Sequence, residues 1–229
     1  MLLKSKISSV VMHSPEWQLS RLGKFTASMA HCFMGERGIG DGGITYVRSR
    51  IGEELTGISS MKEVDTDAMR WGLMHEPFAI QEFGKLKGVD FLVTQKLIAD
   101  TSTRFGATPD CMWVKKESED KLKYDVCTGE VKCYPTYANH IACALCETPQ
   151  QIKKEDKQAY WQVIMQMDEC DCLVGYLVYY HPDFKAGSLR VIEFRKIELI
   201  AEFKLLKERQ KQLLEMFERE REMLMNIKN

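Results

Sequence analysis

Three charged residues near the middle of the chain have the types and the spacing needed to cleave a phosphodiester with the help of a metal ion. Asp110 follows a proline, and Glu130 and Lys132 come twenty residues later with Val131 between them. On a strand, alternate side chains share a face, so Glu130 and Lys132 would face one site while Val131 faces the core. Carboxylates are hard oxygen ligands that suit Mg²⁺. The ion would polarise the phosphoryl oxygen and help to generate the attacking hydroxide, and the ammonium would position that water or offset charge on phosphorus.

Pro109-Asp110 followed by Glu130-Val131-Lys132 matches the PD-(D/E)xK nuclease motif. Taken alone the pattern is weak, because an aspartate and a Glu-x-Lys this close together also occur by chance. The alternative interpretation is a turn aspartate followed by a solvated strand edge, so the other motifs of the chain decide between the two.

A second group, near the N-terminus, could bind phosphate. Arg21 and Ser28 flank the predicted start of a helix at Thr26, and Lys24 lies close by. Backbone N–H groups, a hydroxyl and a guanidinium that meet at a helix start form a phosphate site. The alternative is a surface arginine and a capping serine.

The chain resembles the lambda exonuclease (YqaJ-like) family of viral recombinases, because five motifs follow in that family's order over about residues 15–182. They are W-x-x-x-R-x-G-x-x-T-A-S from Trp17 to Ser28, Trp71-Gly72-x-x-x-Glu76, Pro109-Asp110, Glu130-Val131-Lys132-Cys133, and a helix carrying Gln162 and Gln166. The last 45 or so residues add no recognised motif.

The resemblance implies a Mg²⁺-dependent exonuclease, with Mn²⁺ as a substitute ion. Such an enzyme degrades linear double-stranded DNA from 5′ to 3′, releases 5′ mononucleotides and leaves 3′ single-stranded tails for annealing recombination. The resemblance also implies DNA ends and a single-strand annealing protein as partners, and a homotrimeric ring.

The resemblance assigns a role to each candidate site residue. The expected catalytic residues are Asp110, Glu130, Lys132 and Gln162; the expected metal ligands are Glu76, Asp110, Glu130 and the backbone oxygen of Val131; and the expected 5′-phosphate ligands are Arg21 and Ser28. Glu76 has an alternative role as an acid that complements a helix dipole. Gln166 lies one turn beyond Gln162 on the same helix face and is a secondary candidate, with simple solvation as the alternative.

Composition excludes some classes of protein and constrains others. The net charge is −1, so cations that bind nucleic acid must be concentrated in a groove or channel. We find no apolar run of transmembrane length and no signal-peptide pattern. We therefore expect no membrane association and a cytoplasmic location, as for a phage, prophage or viral protein inside its host cell.

The eight cysteines do not form a recognisable metal-binding pattern. Only Cys143 and Cys146 have chelating spacing, and no histidine pair accompanies them. We expect buried thiols and no iron–sulfur cluster.

The predicted fold is α/β (α+β), with a PD-(D/E)xK restriction-endonuclease-like core. It has a central mixed β-sheet flanked by helices, and a long C-terminal helix. We expect a single nuclease domain over 1–229, made of a helical part at about 14–88, a catalytic sheet core at about 89–197 and a C-terminal helix at about 198–228.

Local patterns predict the individual elements. Helices are expected over 14–22, 26–34, 44–56, 66–87 with an interruption at Pro77, 135–145, 157–169 and 198–227. Strands are expected over 89–99, 104–107, 111–116, 129–133, 173–181 and 188–197. The strands before Cys133 should form an antiparallel meander with the catalytic face at one edge, and Gly129 should let backbone or substrate approach. The segment 115–123 reads as a charged hairpin tip and 147–155 as a polar loop. The C-terminal helix has an apolar seam, broken by Gln210 and Glu220, that should pack on the body or on another subunit.

The sequence is also compatible with three other functions. A RecB-like or CRISPR-associated nuclease of the same fold would need four cysteines at cluster spacing. A catalytically inactive DNA-binding scaffold would not degrade duplex DNA. A type II restriction endonuclease would cut closed circular DNA, and the Arg21 and Ser28 motif disfavours it.

Overall fold

The structure is a computed structural model that describes residues 14–60, 65–91, 93–99, 103–115 and 125–227. Most of the predicted charged hairpin tip at 115–123 lies outside the described residues, as does the N-terminal lead over 1–13.

The described part of the chain contains helices α1 to α7 and strands β1 to β8, with β2 to β6 in succession and then α4 to α6 in succession. The helices are α1 Pro15–Ser20, α2 Gly40–Thr56, α3 Asp67–Lys87, α4 Tyr137–Ala144, α5 Pro149–Glu155, α6 Lys157–Glu169 and α7 Ile200–Met225, with short 3-10 helices at Ala27–Cys32 and Lys196–Glu198. The strands are β1 Phe25–Thr26, β2 Val93–Thr94, β3 Ile98–Ala99, β4 Phe105–Ala107, β5 Cys111–Lys115, β6 Asp125–Lys132, β7 Val174–Tyr180 and β8 Leu189–Arg195.

The strands form two mixed sheets. The larger has the order β2-β5-β6-β7-β8, and the smaller has the order β1-β4-β3. Strand β6 is central: it pairs antiparallel with β5 and parallel with β7, and α4, α5 and α6 connect β6 to β7. The predicted mixed sheet is confirmed. The predicted meander with its catalytic face at one edge is wrong, because β4 belongs to the other sheet and the catalytic strand lies in the middle.

The single strand predicted over 89–99 is two short strands in different sheets. Strand β2 pairs with β5 in the larger sheet, and β3 pairs with β4 in the smaller one. Between them Gln95 has a φ of 53°, which lies in the left-handed region. A non-glycine residue rarely adopts that conformation, so the apolar composition gave no sign of the turn.

Several helix boundaries also differ from the prediction. The segment predicted as a helix over 26–34 is a 3-10 helix, and Thr26 makes no side-chain cap to it. Helix α2 begins at Gly40, four residues before the predicted start at 44, and α3 runs through Pro77 without an interruption. The start of α1 is as predicted, since Ser14 Oγ accepts from the N–H of Trp17 at 3.1 Å.

The polar loop predicted over 147–155 is instead mostly helix α5. Thr148 and Gln151 form a reciprocal capping box, and Pro149 occupies the first turn. This start signal outweighs the polar composition, because a capping box satisfies N–H groups that a short helix otherwise leaves unpaired.

The two faces of β6 meet different layers. Val131 lies in an apolar cluster with Ala79 and Phe83 of α3, whereas the residues on either side of it face α6. A β-carbon at Gly129 would lie 2.6 Å from Cys111 Sγ and 3.2 Å from Phe83 Cε1. Gly129 therefore makes room for core side chains, which corrects the expected approach of substrate.

Helix α7 covers the other side of the molecule. Leu206, Leu213 and Phe217 are fully buried in the main core. Gln210, predicted to interrupt this seam, is itself buried and donates to Glu169 Oε1 of α6 at 3.3 Å. The apolar seam of α7 therefore packs on the body of the protein, which is the first of the two predicted alternatives.

Candidate nuclease active site

Asp110 is held beside the central strand by two backbone contacts. It lies in the turn between β4 and β5, where its own N–H donates to Gly129 O at 3.0 Å. Its Oδ2 accepts the N–H of Val131 at 2.6 Å. These bonds connect the two halves of the sequence motif, which are twenty residues apart in the chain, and fix the carboxylate next to β6.

Glu130 and Lys132 point to the same side of β6, as the alternation predicts. Lys132 Nζ lies 2.6 Å from Glu130 Oε1 and donates to Gln162 Oε1 at 3.0 Å. Gln162 Nε2 donates to the same Glu130 oxygen at 2.6 Å. Three of the predicted catalytic residues therefore form one hydrogen-bonded group, in which the carboxylate is 3% exposed.

Gln166, the secondary candidate, is buried, which excludes the alternative of simple solvation. It is 1% exposed, and its Nε2 donates to Glu130 Oε2 at 2.5 Å and to Thr108 O at 3.5 Å. The helical spacing places Gln166 on the same face as Gln162, because residues four apart on a helix are neighbours. Its burial and its bond to Glu130 depend on how α6 packs on β6, which the spacing does not give.

Glu76 reaches the site from α3. Its Oε1 accepts Gln95 Nε2 at 2.5 Å, and this is the residue with a left-handed backbone between β2 and β3. The sequence did not identify Gln95, since its position depends on how the short strands divide between two sheets. Unusual backbone conformations of this kind cluster at functional sites.

The carboxylates repel one another in a poorly solvated place. Burial, followed by the charges of Glu130 and Glu76, holds the pKa of Asp110 well above its usual value. Burial also raises the pKa of Glu76, although the Gln95 hydrogen bond opposes it. Burial alone would lower the pKa of Lys132, but Glu130 and Asp110 outweigh it and the pKa is raised. Lys132 is therefore a stable cation among carboxylates.

One open cavity of about 500 Å³ contains both predicted groups of residues. Its lining includes Trp17, Arg21, Ser28, Glu76, Asp110, Glu130, Val131, Lys132 and Gln162. The N-terminal hairpin and the PD-(D/E)xK residues are therefore neighbours in space, although about 80 residues or more separate them in sequence.

At the hairpin end of the cavity, the Arg21 guanidinium lies over the Trp17 ring, with Cζ 4.1 Å from the centroid. Burial lowers the pKa of Arg21. Within the described ranges, no carboxylate lies at ion-pair distance from Arg21. Ser28 Oγ lies 3.3 Å from Thr26 Oγ1, and Tyr46 OH accepts the N–H of Thr26 at 2.9 Å. An arginine placed in this way is available to an anion.

A second network, which the sequence did not reveal, anchors the start of α6. Asp156 caps this helix, with Oδ1 accepting the N–H of Ala159 at 3.0 Å. Its Oδ2 accepts Tyr134 OH at 2.5 Å and Tyr179 OH at 3.0 Å. Tyr179 is the β7 partner of Lys132 in the sheet register. The aspartate thus ties the helix that carries Gln162 to the strands beneath it.

The side chains of the described part do not form a ready ion-binding group of three or more His, Cys, Asp or Glu donors. Both oxygens of Glu130 are engaged, by Lys132 and by two glutamine amides. Cys143 and Cys146 are buried, and burial raises the pKa of Cys143 to about 12. A thiol of that kind stays protonated at neutral pH, whereas a metal needs the thiolate.

A comparison with protein families matches the YqaJ-like viral recombinase domain to residues 16–172, which is more than half of the chain. The chain belongs to this family and, with its fold, it is a nuclease of the lambda exonuclease type. A comparison with curated proteins gave no match.

Solved structures agree with this assignment. The chain is similar to an alkaline exonuclease, LHK-Exo, from Laribacter hongkongensis, with a TM-score of 0.70 and 24% identity over 92% of this chain and 96% of that one. The complex of LHK-Exo with dAMP matches with a TM-score of 0.69 and 26% identity, and the same coverage. A phage-related exonuclease from Haemophilus somnus 129PT matches with a TM-score of 0.60 and 15% identity, over 87% of this chain and 96% of that one, which supports the fold alone. The predicted fold class is confirmed.

Proposed function

We propose that the chain is a Mg²⁺-dependent 5′-to-3′ exonuclease that acts on the ends of linear double-stranded DNA. It releases 5′ mononucleotides and leaves 3′ single-stranded tails for annealing recombination. The observation that carries the proposal is the shared cavity, because it sets three carboxylates and a lysine beside an arginine suited to a terminal phosphate.

The donor set fits a hard divalent ion. Three carboxyl groups, of Glu76, Asp110 and Glu130, face the single cation Lys132. Burial, and after it the charge of neighbouring carboxylates, raises the pKa of Asp110 and of Glu76, and a bound divalent ion would offset both effects. Carboxylate oxygens, with the backbone oxygen of Val131, are ligands that Mg²⁺ or Mn²⁺ accepts. When bound, such an ion supplies Lewis-acid polarisation and a more acidic water. Glu130 would share or release one of its present partners to bind it.

The residues around the ion site would orient the attacking water. Lys132 Nζ and the Gln162 amide both reach Glu130 Oε1 and contact each other. In this arrangement Lys132 can donate to the water or to the phosphate oxygens as negative charge grows on them. Gln162 holds the ammonium in place and can bond to the water itself.

The hairpin would set the polarity of digestion. Arg21 and Ser28 would hold the terminal 5′ phosphate, since a guanidinium that lies flat on an aromatic ring presents its N–H groups in a fixed plane. Contacts to phosphate carry no sequence information, so we expect little base preference. The dAMP bound by the related LHK-Exo supports release of 5′ mononucleotides.

The resemblance to the family extends the proposal to partners. We propose that the whole chain, 1–229, acts as a single nuclease domain, that three copies close into a ring around DNA, and that a single-strand annealing protein receives the 3′ tail. No described helix is long and apolar enough to cross a membrane. The proposed setting is the cytoplasm of a bacterial cell that carries a phage or prophage, or of a cell infected by a virus.

Digestion of linear duplexes labelled separately at each 5′ and 3′ end, with Mg²⁺ and with EDTA, tests the proposal. We expect the 5′ label to be released first as a mononucleotide, only with Mg²⁺, while closed circular plasmid stays intact. Asp110→Ala should abolish the activity. Asp168→Ala removes a carboxylate that pairs with Lys207 outside the cavity, and it should retain the activity.

Three outcomes would contradict the proposal. Release of the 3′ label first would reverse the polarity, and cutting of the closed circle would favour a restriction enzyme. Absence of any digestion by folded protein would favour a DNA-binding scaffold.

A further inference from the structure

Among the residues that the structure describes, Gln166 is the buried amide at the site that the proposed chemistry does not use. It is 1% exposed and is not among the residues that line the cavity, so it cannot touch DNA or water there. Its Nε2 nevertheless donates to Glu130 Oε2 at 2.5 Å, and also reaches Thr108 O at 3.5 Å.

The two glutamines of α6 each donate to a different oxygen of the Glu130 carboxylate. Gln162 Nε2 donates to Oε1, on the cavity side with Lys132, whereas Gln166 Nε2 donates to Oε2. Two donors one helical turn apart fix both the position and the plane of the carboxylate. A single donor would leave the plane free to rotate about the remaining bond.

The Glu130 carboxylate sets the orientation of the Gln166 amide, because the amide oxygen contributes no hydrogen bond that would favour this orientation. Its Oε1 is buried and has no hydrogen-bond partner among the described residues. Turning the amide over would place that oxygen against Glu130 Oε2, where two acceptors would repel. Leaving a buried acceptor unpaired is unfavourable, so the bond from Nε2 to Glu130 must be what keeps the amide in this orientation. Its clear effect is on the carboxylate.

The contact to Thr108 extends this effect to the other half of the motif. Thr108 lies two residues before Asp110, in the turn that carries that aspartate. One buried amide therefore contacts both the metal-binding glutamate and the segment that bears the metal-binding aspartate.

We infer that Gln166 is a positioning residue that holds Glu130, and through Thr108 the Asp110 turn, in the geometry required to bind the divalent ion. The inference rests on the proposed ion site. Partners that orient a metal ligand in this way typically change metal affinity by 10- to 100-fold when they are removed.

The test is ion binding by Gln166→Met, which keeps the side-chain length and removes the donor. Binding of Mn²⁺, and of Ca²⁺ as a poorly catalytic probe, is measured by titration calorimetry without DNA, and the unfolding temperature is measured in EDTA. We expect the dissociation constant for Mn²⁺ to rise by about 10- to 100-fold. The Mg²⁺ concentration for half-maximal digestion should rise in parallel.

The chain offers a matched control in Gln210. This glutamine is also buried and also donates to a glutamate of α6, Glu169, but away from the cavity. Gln210→Met should lower the unfolding temperature in EDTA as Gln166→Met does, yet keep the Mn²⁺ dissociation constant within about twofold of the wild type, since it orients no proposed ligand. This comparison separates positioning from a general loss of stability.

Each outcome decides the inference. Wild-type Mn²⁺ affinity in folded Gln166→Met overturns it, and so does an equal loss in Gln210→Met. If Gln166→Met does not fold, Gln166→Asn, which keeps an amide but is too short to reach Glu130, is measured against the same criteria. If Asp110→Asn loses ion binding while Gln166→Met keeps it, only the role of Gln166 fails. If the wild type binds no divalent ion, the proposed function fails together with the inference.

Discussion

Replacing Asp110 by asparagine should make the metal-free protein more stable while it abolishes cleavage. Asparagine can keep the hydrogen bond from the N–H of Val131, since its side-chain oxygen accepts as the Asp110 oxygen does. What it removes is a buried charge that faces Glu130 and Glu76. In the absence of a metal ion, that charge opposes folding.

The magnitude follows from the type of group involved. Leaving a buried polar group unsatisfied costs about 1–3 kcal/mol and a charged group costs more, so we take about 2 kcal/mol for Asp110, whose charge the Val131 hydrogen bond partly compensates. For a chain of this size, about 2 kcal/mol corresponds to a rise of roughly 4–8 °C in unfolding temperature. With Mg²⁺ the wild type should become more stable than Asp110→Asn. An ion at 100 times its dissociation constant stabilises the protein that binds it by about 2.7 kcal/mol, and the variant lacks a ligand for the ion.

The same charge gives a pH dependence of known sign. The pKa of Asp110 is higher in the folded than in the unfolded state, so the folded protein takes up a proton first as the pH falls. Metal-free wild type should therefore gain stability as the pH falls through the folded pKa, and the gain is complete below the unfolded pKa of about 3.9. Asp110→Asn should lose much of this dependence, and Glu76 should retain its own part.

Differential scanning fluorimetry in EDTA and in Mg²⁺, between pH 5.5 and 8.5, measures both effects. Asp168→Asn is the control, because the Asp168 side chain is only 7% exposed but pairs with Lys207 at 2.5 Å, so its replacement should not raise the unfolding temperature. If Asp110→Asn is less stable than the wild type in EDTA at neutral pH, the idea of carboxylate repulsion at this site is wrong.

Three further substitutions test other parts of the site. Lys132→Met should lower kcat by about 10²–10⁴-fold, measured by steady-state digestion, because a positioned cation that assists proton transfer and charge development is lost. Arg21→Ala should lower the preference for 5′-phosphorylated over 5′-hydroxyl ends by about 10-fold or more, since hydrogen bonds to charged groups contribute about 1.5–3 kcal/mol; an unchanged preference would refute the end-binding role. Tyr46→Phe removes the acceptor for the N–H of Thr26. It should raise KM for phosphorylated ends several-fold and leave kcat unchanged, as expected from a loss of about 1 kcal/mol.

The local part of the site could be predicted from the sequence. Alternation along a strand places Glu130 and Lys132 on one face and Val131 on the other, and this is a property of any strand. The bounds of α6 agree with the predicted 157–169, because Asp156 caps the helix and its apolar spacing is regular. These features depend on residues close together in the chain.

The features that the sequence did not reveal depend on distant partners. Gln166 looks like any polar residue on a helix, and its burial follows only from the packing of α6 on β6. Gln95 is placed by a left-handed turn between two sheets, which composition does not signal. The roles of Glu76 and Gln162 came from the resemblance to the family, since no local pattern distinguishes them from surface residues.

The close approach of α6 to the sheet explains why amides, and not longer cationic side chains, could hold Glu130. A β-carbon at Gly175 of β7 would lie 2.6 Å from Met167 Cγ, so the glycine lets the helix lie directly on the strand next to β6. At that separation a glutamine is long enough to reach Glu130, whereas a lysine or arginine in its place would add a cation. With Lys132 already beside three carboxylates, such a cation would offset the charge that draws a divalent ion to the cavity. Neutral amide donors orient Glu130 and leave the net negative charge of the cavity unchanged. Gln166 suits this role because, as a buried residue, it does not compete with water or DNA for contact with the carboxylate.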